Sequence, residues 1–166
     1  MLIEKLKERF GSAIEPVPAT GGEQAIRLER GSALEVLRAL RDESDFAFNF
    51  LMDLTAVDWL ERAPRFDVIY NLYSLTTKNR LRVKIPVEAP DAWVHSVVGL
   101  WKSADWLERE CFDMFGIRFE GHPDLRRILL YDSFIGHPLL KDYPATRRQP
   151  IVDEIDPIVN PRRATS

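Results

Sequence analysis

Residues 116–150 constrain the fold more than any other stretch of the chain. Gly116, Gly121 and Gly136 and the prolines 123, 138, 144 and 150 interrupt the segment too often for a continuous helix. Yet the same residues include Ile128, Leu129, Leu130, Tyr131, Phe134, Ile135, Leu139, Leu140 and Tyr143. Fully burying one such side chain is worth about 1.5–3 kcal/mol, and leaving all of them in water would create a patch larger than soluble monomers tolerate. The part of the chain before Gly116 is small, and its sheet is expected to have helices of its own as cover. Some of the segment can fold back, but much of it is expected to lie as a strap on another protein.

The rest of the composition is that of an ordinary soluble chain. Among 166 residues, 45% are hydrophobic and 30% charged, with a net charge of -3. The acidic balance argues against nucleic acid as the main partner. One cysteine, Cys111, excludes an internal disulfide framework and a cysteine-ligated iron-sulfur cluster held by this chain alone. No early stretch has the form of a signal peptide, and no apolar run approaches twenty residues, so membrane association is expected only through partners.

Periodicity predicts helices over 2–10 and 32–42, the second capped by Ser32, with a short strand over 24–29 and a loop over 16–22. Three further strands are predicted over 46–59, 66–76 and 80–87, the last two joined as a hairpin through Thr77-Lys78-Asn79. Arg80, Arg82 and Lys84 alternate with Leu81, Val83 and Ile85, so one face of the sheet is wet and the other dry. Helices are predicted over 91–100, capped by Asp91, and over 103–115, stopped by Gly116. The predicted class is α+β: a two-layer domain of a small mixed or antiparallel sheet packed with helices over 1–115, an extended partner-binding strap over 116–150 and a C-terminal tail over 151–166.

On the 103–115 helix, Ala104, Leu107, Cys111, Met114 and Phe115 share one arc, whereas Asp105, Arg109 and Asp113 form an i, i+4, i+8 charge ladder. Glu108 falls inside the apolar arc. It either snorkels to water, pairs with Arg126 or Arg127 folded back from the strap, or acts as an acid of raised pKa. Gly-His-Pro occurs twice, at 121–123 and 136–138. Glycine permits positive φ, and the residue before proline is pushed towards extended geometry. His122 and His137 are therefore read as structural corners. A metal site of His122, His137, Asp124 and Asp142 matches no known ligand spacing.

The residues resemble a family. Glu108-Arg109-Glu110, two residues, Asp113-Met114-Phe115, six residues, His122, three residues, Arg126, one residue, Ile128-Leu129 is similar to the signature of the 30 kDa subunit of respiratory complex I, which in bacteria is the C subunit of NADH-quinone oxidoreductase. The likeness runs on through Gly116, Pro123 and Arg127, then Gly136-His137-Pro138-Leu139 and Lys141-Asp142-Tyr143-Pro144. Close resemblance covers about residues 105–145. Leu140 stands where the family pattern has arginine, and Tyr131 where proline or tryptophan is usual.

The resemblance implies a non-catalytic scaffold of the peripheral arm, with these residues as the expected partner interface. It implies no catalytic, cofactor-binding or metal-binding residue on this chain, whereas the assembled complex uses FMN, iron-sulfur clusters, NADH and quinone. The expected partners are the 49 kDa-type (D) subunit, near the quinone end, and the small iron-sulfur subunits. The expected location is the cytoplasmic face of the bacterial inner membrane, peripheral, in a chain not fused to its 49 kDa-type neighbour. Two rivals remain open: the equivalent small subunit of a membrane-bound hydrogenase or of a relative fed by ferredoxin or F420, and a free-standing small enzyme using Glu108, His122 or His137. The enzyme needs those side chains to converge on a pocket; the scaffold expects the strap to take its order from a partner.

Overall fold

Leu81, Val83, Ile85 and Val87 are buried while Arg80, Arg82 and Lys84 are not, and this alternation organises the molecule. The structure, a computed structural model, describes residues 2–18, 21 and 23–150; the expected tail over 151–166 lies outside the described residues. Five strands, β1 (Ile14–Val17), β2 (Gln24–Leu28), β3 (Phe50–Asp58), β4 (Phe66–Tyr73) and β5 (Arg80–Val87), pair in the order β1-β2-β5-β4-β3. Only β2 and β5 run parallel; the other neighbours are antiparallel, so the sheet is mixed and the fold is α+β. The inward row continues through Phe66, Val68, Tyr70 and Leu72 of β4 and Leu54 and Ala56 of β3.

Helices α1 (Leu2–Phe10), α2 (Arg30–Asp42) and α3 (Ala104–Phe115) bury Leu6, Leu37, Leu40 and Cys111 in one cluster with that row. The opposite face carries a polar ladder across the strands. Arg82 pairs with Glu23 at 2.8 Å and donates to Asn71 Oδ1 at 2.9 Å, and Asn71 reaches Asp53 at 3.4 Å. Among the described residues no helix is long and apolar enough to cross a membrane.

Several expectations need correction. No helix forms over 91–100. Trp93–His95 is instead a strand, β6, paired in parallel with Arg118–Glu120, β7. Trp93, Val94, Val97 and Val98 favour extended backbone, and a strand after α3 supplies a partner that local periodicity does not reveal. Asp91, read as a cap, pairs with Arg118 at 2.6 Å. Part of the loop expected over 16–22 belongs to β1, and α2 begins before Ser32, whose hydroxyl donates to Glu29 O within the first turn. The strand expected over 46–59 starts at Phe50, with Phe46 and Phe48 buried in the turn before it. From Gly121 to Pro150 the chain has neither helix nor strand.

Candidate functional site

The strap returns across the end of α3, and two buried carboxylates hold it there. Asp113, in the last turn of α3, has no exposed surface. Its Oδ2 accepts three consecutive backbone N–H groups, from Ile128 (3.0 Å), Leu129 (2.8 Å) and Leu130 (2.9 Å). Its Oδ1 accepts Arg127 Nη1 at 2.7 Å. Burial pushes the Asp113 carboxyl up, but the amides of Leu130 and Leu129, Arg127 and the amide of Ile128 together outweigh it and hold it below the usual range. Arg127 then donates through Nη2 to the carbonyls of Phe134 (3.2 Å) and Gly136 (2.9 Å), tying two further parts of the strap to the same point. Arg109 adds bonds to the carbonyls of Arg126 and Arg127, both at 3.2 Å. The charge ladder expected along α3 is thus replaced: Arg109 and Asp113 both turn to the strap, because its backbone N–H and C=O groups have no regular secondary structure to satisfy them.

The second carboxylate is Asp58, at the end of β3. It accepts a two-point contact from Arg65 (2.9 and 2.7 Å) and the backbone N–H of Lys141 (2.9 Å). Arg65 also reaches Asp142 at 2.8 Å. The Arg65 guanidinium holds the Asp58 carboxyl far below the usual range, against the upward push of burial, with the Lys141 and Leu60 amides helping. The resemblance does not extend to Asp58 or Arg65. The available signal was parity: Leu54, Ala56 and Asp58 fall on the inward side of one strand, and a carboxylate there needs a partner.

Both histidines are corners. The Asp124 amide donates to His122 Nδ1 at 3.0 Å, which leaves the proton on Nε2, and Nε2 donates to Asp105 O at 3.2 Å. His137 Nδ1 donates to Asp113 O at 2.9 Å, and Leu139 N–H donates to Met114 O at 3.1 Å. His122 therefore pins the strap to the start of α3, and His137 pins it to the end. Asp142 lies on Arg65, and among the described residues no three His, Cys, Asp or Glu side chains gather as a metal would require.

The His137 ring sits directly over Gly116. A Cβ there would stand 2.7 Å from the ring's Cδ2, and the residue's φ is +76°. Gly121 has φ +84° with nothing within 4 Å. Gly121→Ala should therefore cost only the left-handed backbone, about 1–2 kcal/mol, whereas Gly116→Ala should cost clearly more and break the His137–Asp113 bond. Urea unfolding of the two variants side by side isolates the steric part.

Two of the three readings of Glu108 fail, and the raised pKa of the third is present. The side chain neither snorkels nor meets an arginine: Arg126 pairs with Asp124 at 2.9 Å, and Arg127 with Asp113. The carboxyl is buried, accepts Val97 N–H at 2.6 Å through Oε1, and leaves Oε2 without a partner. Burial pushes its pKa up to about 7 against the ordinary 4.5, with Asp105 adding to the rise. Glu108 thus clamps the turn after β6 to α3, while His122 and His137 clamp the strap. The three side chains hold different stretches of backbone and form no convergent site.

A carboxyl whose pKa is raised on folding binds its proton more tightly in the native state. The contribution of Glu108 to stability is therefore greatest below about pH 4.5 and falls as pH rises towards 7. The loss is about 3 kcal/mol. Asp58, Asp113 and Asp142 have lowered pKa values, so their contributions are lost only at more acidic pH. Glu108→Gln should flatten the stability profile between pH 5 and 8 in chemical denaturation, while the wild-type chain weakens across it.

Ile117 and Phe119, at the start of the segment, are buried in the core. Of the nine apolar side chains singled out beyond them, six are half-buried, and Leu129 at 63%, Ile135 at 48% and Leu139 at 53% are exposed. Phe134 stacks on Tyr143, Tyr131 packs against Phe134 edge-on, and Leu140 leans on the core. That contact gives the leucine at position 140 a packing role in place of a charge. The backbone is anchored to the chain's own domain rather than ordered only by a partner, which corrects that expectation. Arg126, Glu110, Pro123 and Pro144 are exposed, and Phe115 packs partly against the core.

Residues 26–149 match the family described as "Respiratory-chain NADH dehydrogenase, 30 Kd subunit". The chain is 50% identical over 142 residues to the C subunit of NADH-quinone oxidoreductase from Citrifermentans bemidjiense, covering 86% of this chain and 87% of that protein. Among solved structures it is similar to a trypsin-resistant fragment (1-134) of Nqo5, with a TM-score of 0.67 and 34% identity, covering 75% of this chain and 98% of that one. A chain of the membrane-bound sulfane sulfur reductase, an archaeal respiratory membrane complex, shares the fold with a TM-score of 0.66 at 21% identity, covering 79% of this chain and 75% of that one.

Proposed function

The chain belongs to the 30 kDa subunit family of the respiratory-chain NADH dehydrogenase, and on that premise we propose that it is a non-catalytic scaffold subunit of the peripheral arm of a proton-pumping NADH:quinone oxidoreductase. Its strap lies against the 49 kDa-type subunit near the quinone end, with the small iron-sulfur subunits as further neighbours. The complex then holds the chain peripherally at the cytoplasmic face of the membrane.

The observation that carries this reading is the pairing of an anchored strap backbone with outward-facing Leu129, Ile135 and Leu139. Bound polar groups fix the shape of the strap, and the exposed leucine and isoleucine side chains gain from a second protein's surface. The buried carboxylates and both strap histidines are tied up structurally, and Cys111 is single and buried. FMN, clusters, NADH and quinone are accordingly assigned to neighbouring subunits. The signature residues serve two roles: Asp113, Arg127, His137 and Gly116 set the strap, and Leu129 and Leu139 meet the neighbour.

A photo-crosslinking residue at position 129 or 139, introduced into the chain within the assembled membrane complex, should attach it to the 49 kDa-type subunit. Attachment only within the chain itself would overturn the proposal. The relation to NADH, rather than to a hydrogenase or a ferredoxin-linked or F420-linked assembly, is supported by the 50% identity to a protein bearing the NADH-quinone name.

A further inference from the structure

We propose that the β3–β4 turn, residues 59–65, is a second half of the strap's docking surface and inserts Trp59 and Leu60 into an apolar recess of the same neighbouring subunit. This rests on the strap being an interface. Three observations support it.

The first is continuity. Asp58 Oδ1 accepts Leu60 N–H at 2.8 Å, and its Oδ2 accepts Lys141 N–H of the strap at 2.9 Å. Arg65, within the turn, spans from Asp58 to Asp142 of the strap. One buried carboxylate and one guanidinium thus lock the turn and the strap together. By contrast Phe50, Met52 and Leu75, which are also exposed, lie towards the other end of β3, where Phe50 pairs with Tyr73 and Leu75 N–H donates to Asn49.

The second is the chemistry left over on the turn. Trp59 and Leu60 are 45% and 41% exposed. The indole N–H already donates to buried Asp67 at 2.9 Å, and Arg62 covers the ring at 4.7 Å while pairing with Asp67 at 2.6 Å. The indole N–H and the Arg62 guanidinium are met internally, so Trp59 and Leu60 ask a partner for shape and apolar contact, while Glu61 between them and Arg62 stays exposed. A rigid aromatic beside an aliphatic side chain is the usual composition of an interface anchor.

The third is backbone conformation. Leu60 has φ +57°, in the left-handed region that bulky side chains avoid. A leucine held there by Asp58 costs the isolated fold stability, and asparagine or glycine would fit the backbone better. Association with a partner gives the leucine a use that folding does not.

The test uses full-length chain in cells lacking the native copy, with the oxidoreductase isolated from membranes and salt-washed. Leu60→Asn should unfold at or above the wild-type temperature yet reduce recovery of the chain with the complex roughly fivefold, and Trp59→Ala with Leu60→Asn at least about tenfold. Leu129→Ser with Leu139→Ser is run in parallel as the strap variant. Normal recovery of both turn variants beside loss of the strap variant would overturn the composite surface and leave the strap interface standing. Normal recovery of turn and strap variants alike would overturn both.

Discussion

Asp113→Ala is expected to release residues 127–130 from the end of α3, lower the stability of the chain by about 3–5 kcal/mol and abolish assembly. The size follows from what one carboxylate does. It satisfies three consecutive amides and the Arg127 guanidinium, in a site without solvent. Removing it leaves a cation and several donors short of an acceptor at once, and each unpaired buried group carries its own cost. Asp113→Asn should be nearly as damaging, because the new amide group presents N–H donors to partners that are themselves all donors. Glu110→Ala, three residues away and exposed, should change stability by no more than about 0.5 kcal/mol. Urea unfolding of the isolated chain, with recovery of the variant in membrane complexes, measures both effects.

Arg127→Ala should separate sharply from Arg126→Ala, although the two arginines are adjacent. Arg127 binds Asp113 and the carbonyls of Phe134 and Gly136, and its guanidinium sits 5.8 Å from the Phe134 ring centroid. Its loss should cost about 2–4 kcal/mol and free residues 131–136. Arg126 carries an exposed side chain whose partner, Asp124, is exposed as well. Its contribution to the strap is the backbone carbonyl that Arg109 engages, which alanine retains. Arg126→Ala should leave stability within about 0.5 kcal/mol of wild type. Hydrogen exchange at the Phe134 and Ile135 amides, which donate to Tyr131 O and Gln149 Oε1, reports the difference directly: fast in Arg127→Ala, protected in Arg126→Ala.

How far the amino-acid pattern reached can be judged at particular residues. The alternation of Leu81, Val83 and Ile85 with charged neighbours placed β5 and its two faces correctly, because a half-buried strand writes its period into its own residues. The 103–115 helix was legible for the same reason, down to Glu108 as the side chain inside the apolar arc. Its partner was not legible, since it is the backbone N–H of Val97 and no side-chain pattern marks an amide. Asp113 falls in a charge ladder with Asp105 and Arg109 on the helical wheel, because the wheel knows only the helix. The residues that bury it arrive fourteen to seventeen positions later and carry no period of their own. The 91–100 stretch failed similarly, its strand depending on residues 118–120. For the strap, composition foretold an apolar surface left over, and the family pattern marked the residues that set it. Neither foretold that its own domain would hold the backbone in place.

The central claim is that the strap's backbone is fixed by its own domain while its apolar side chains are kept for a neighbour. Hydroxyl-radical footprinting of Leu129, Ile135 and Leu139, in the isolated chain and in the assembled membrane complex, tests it most directly. All three should label strongly in the isolated chain and be protected in the complex. Equal labelling in both states would contradict the claim, since the exposed strap would then have no protein to cover it.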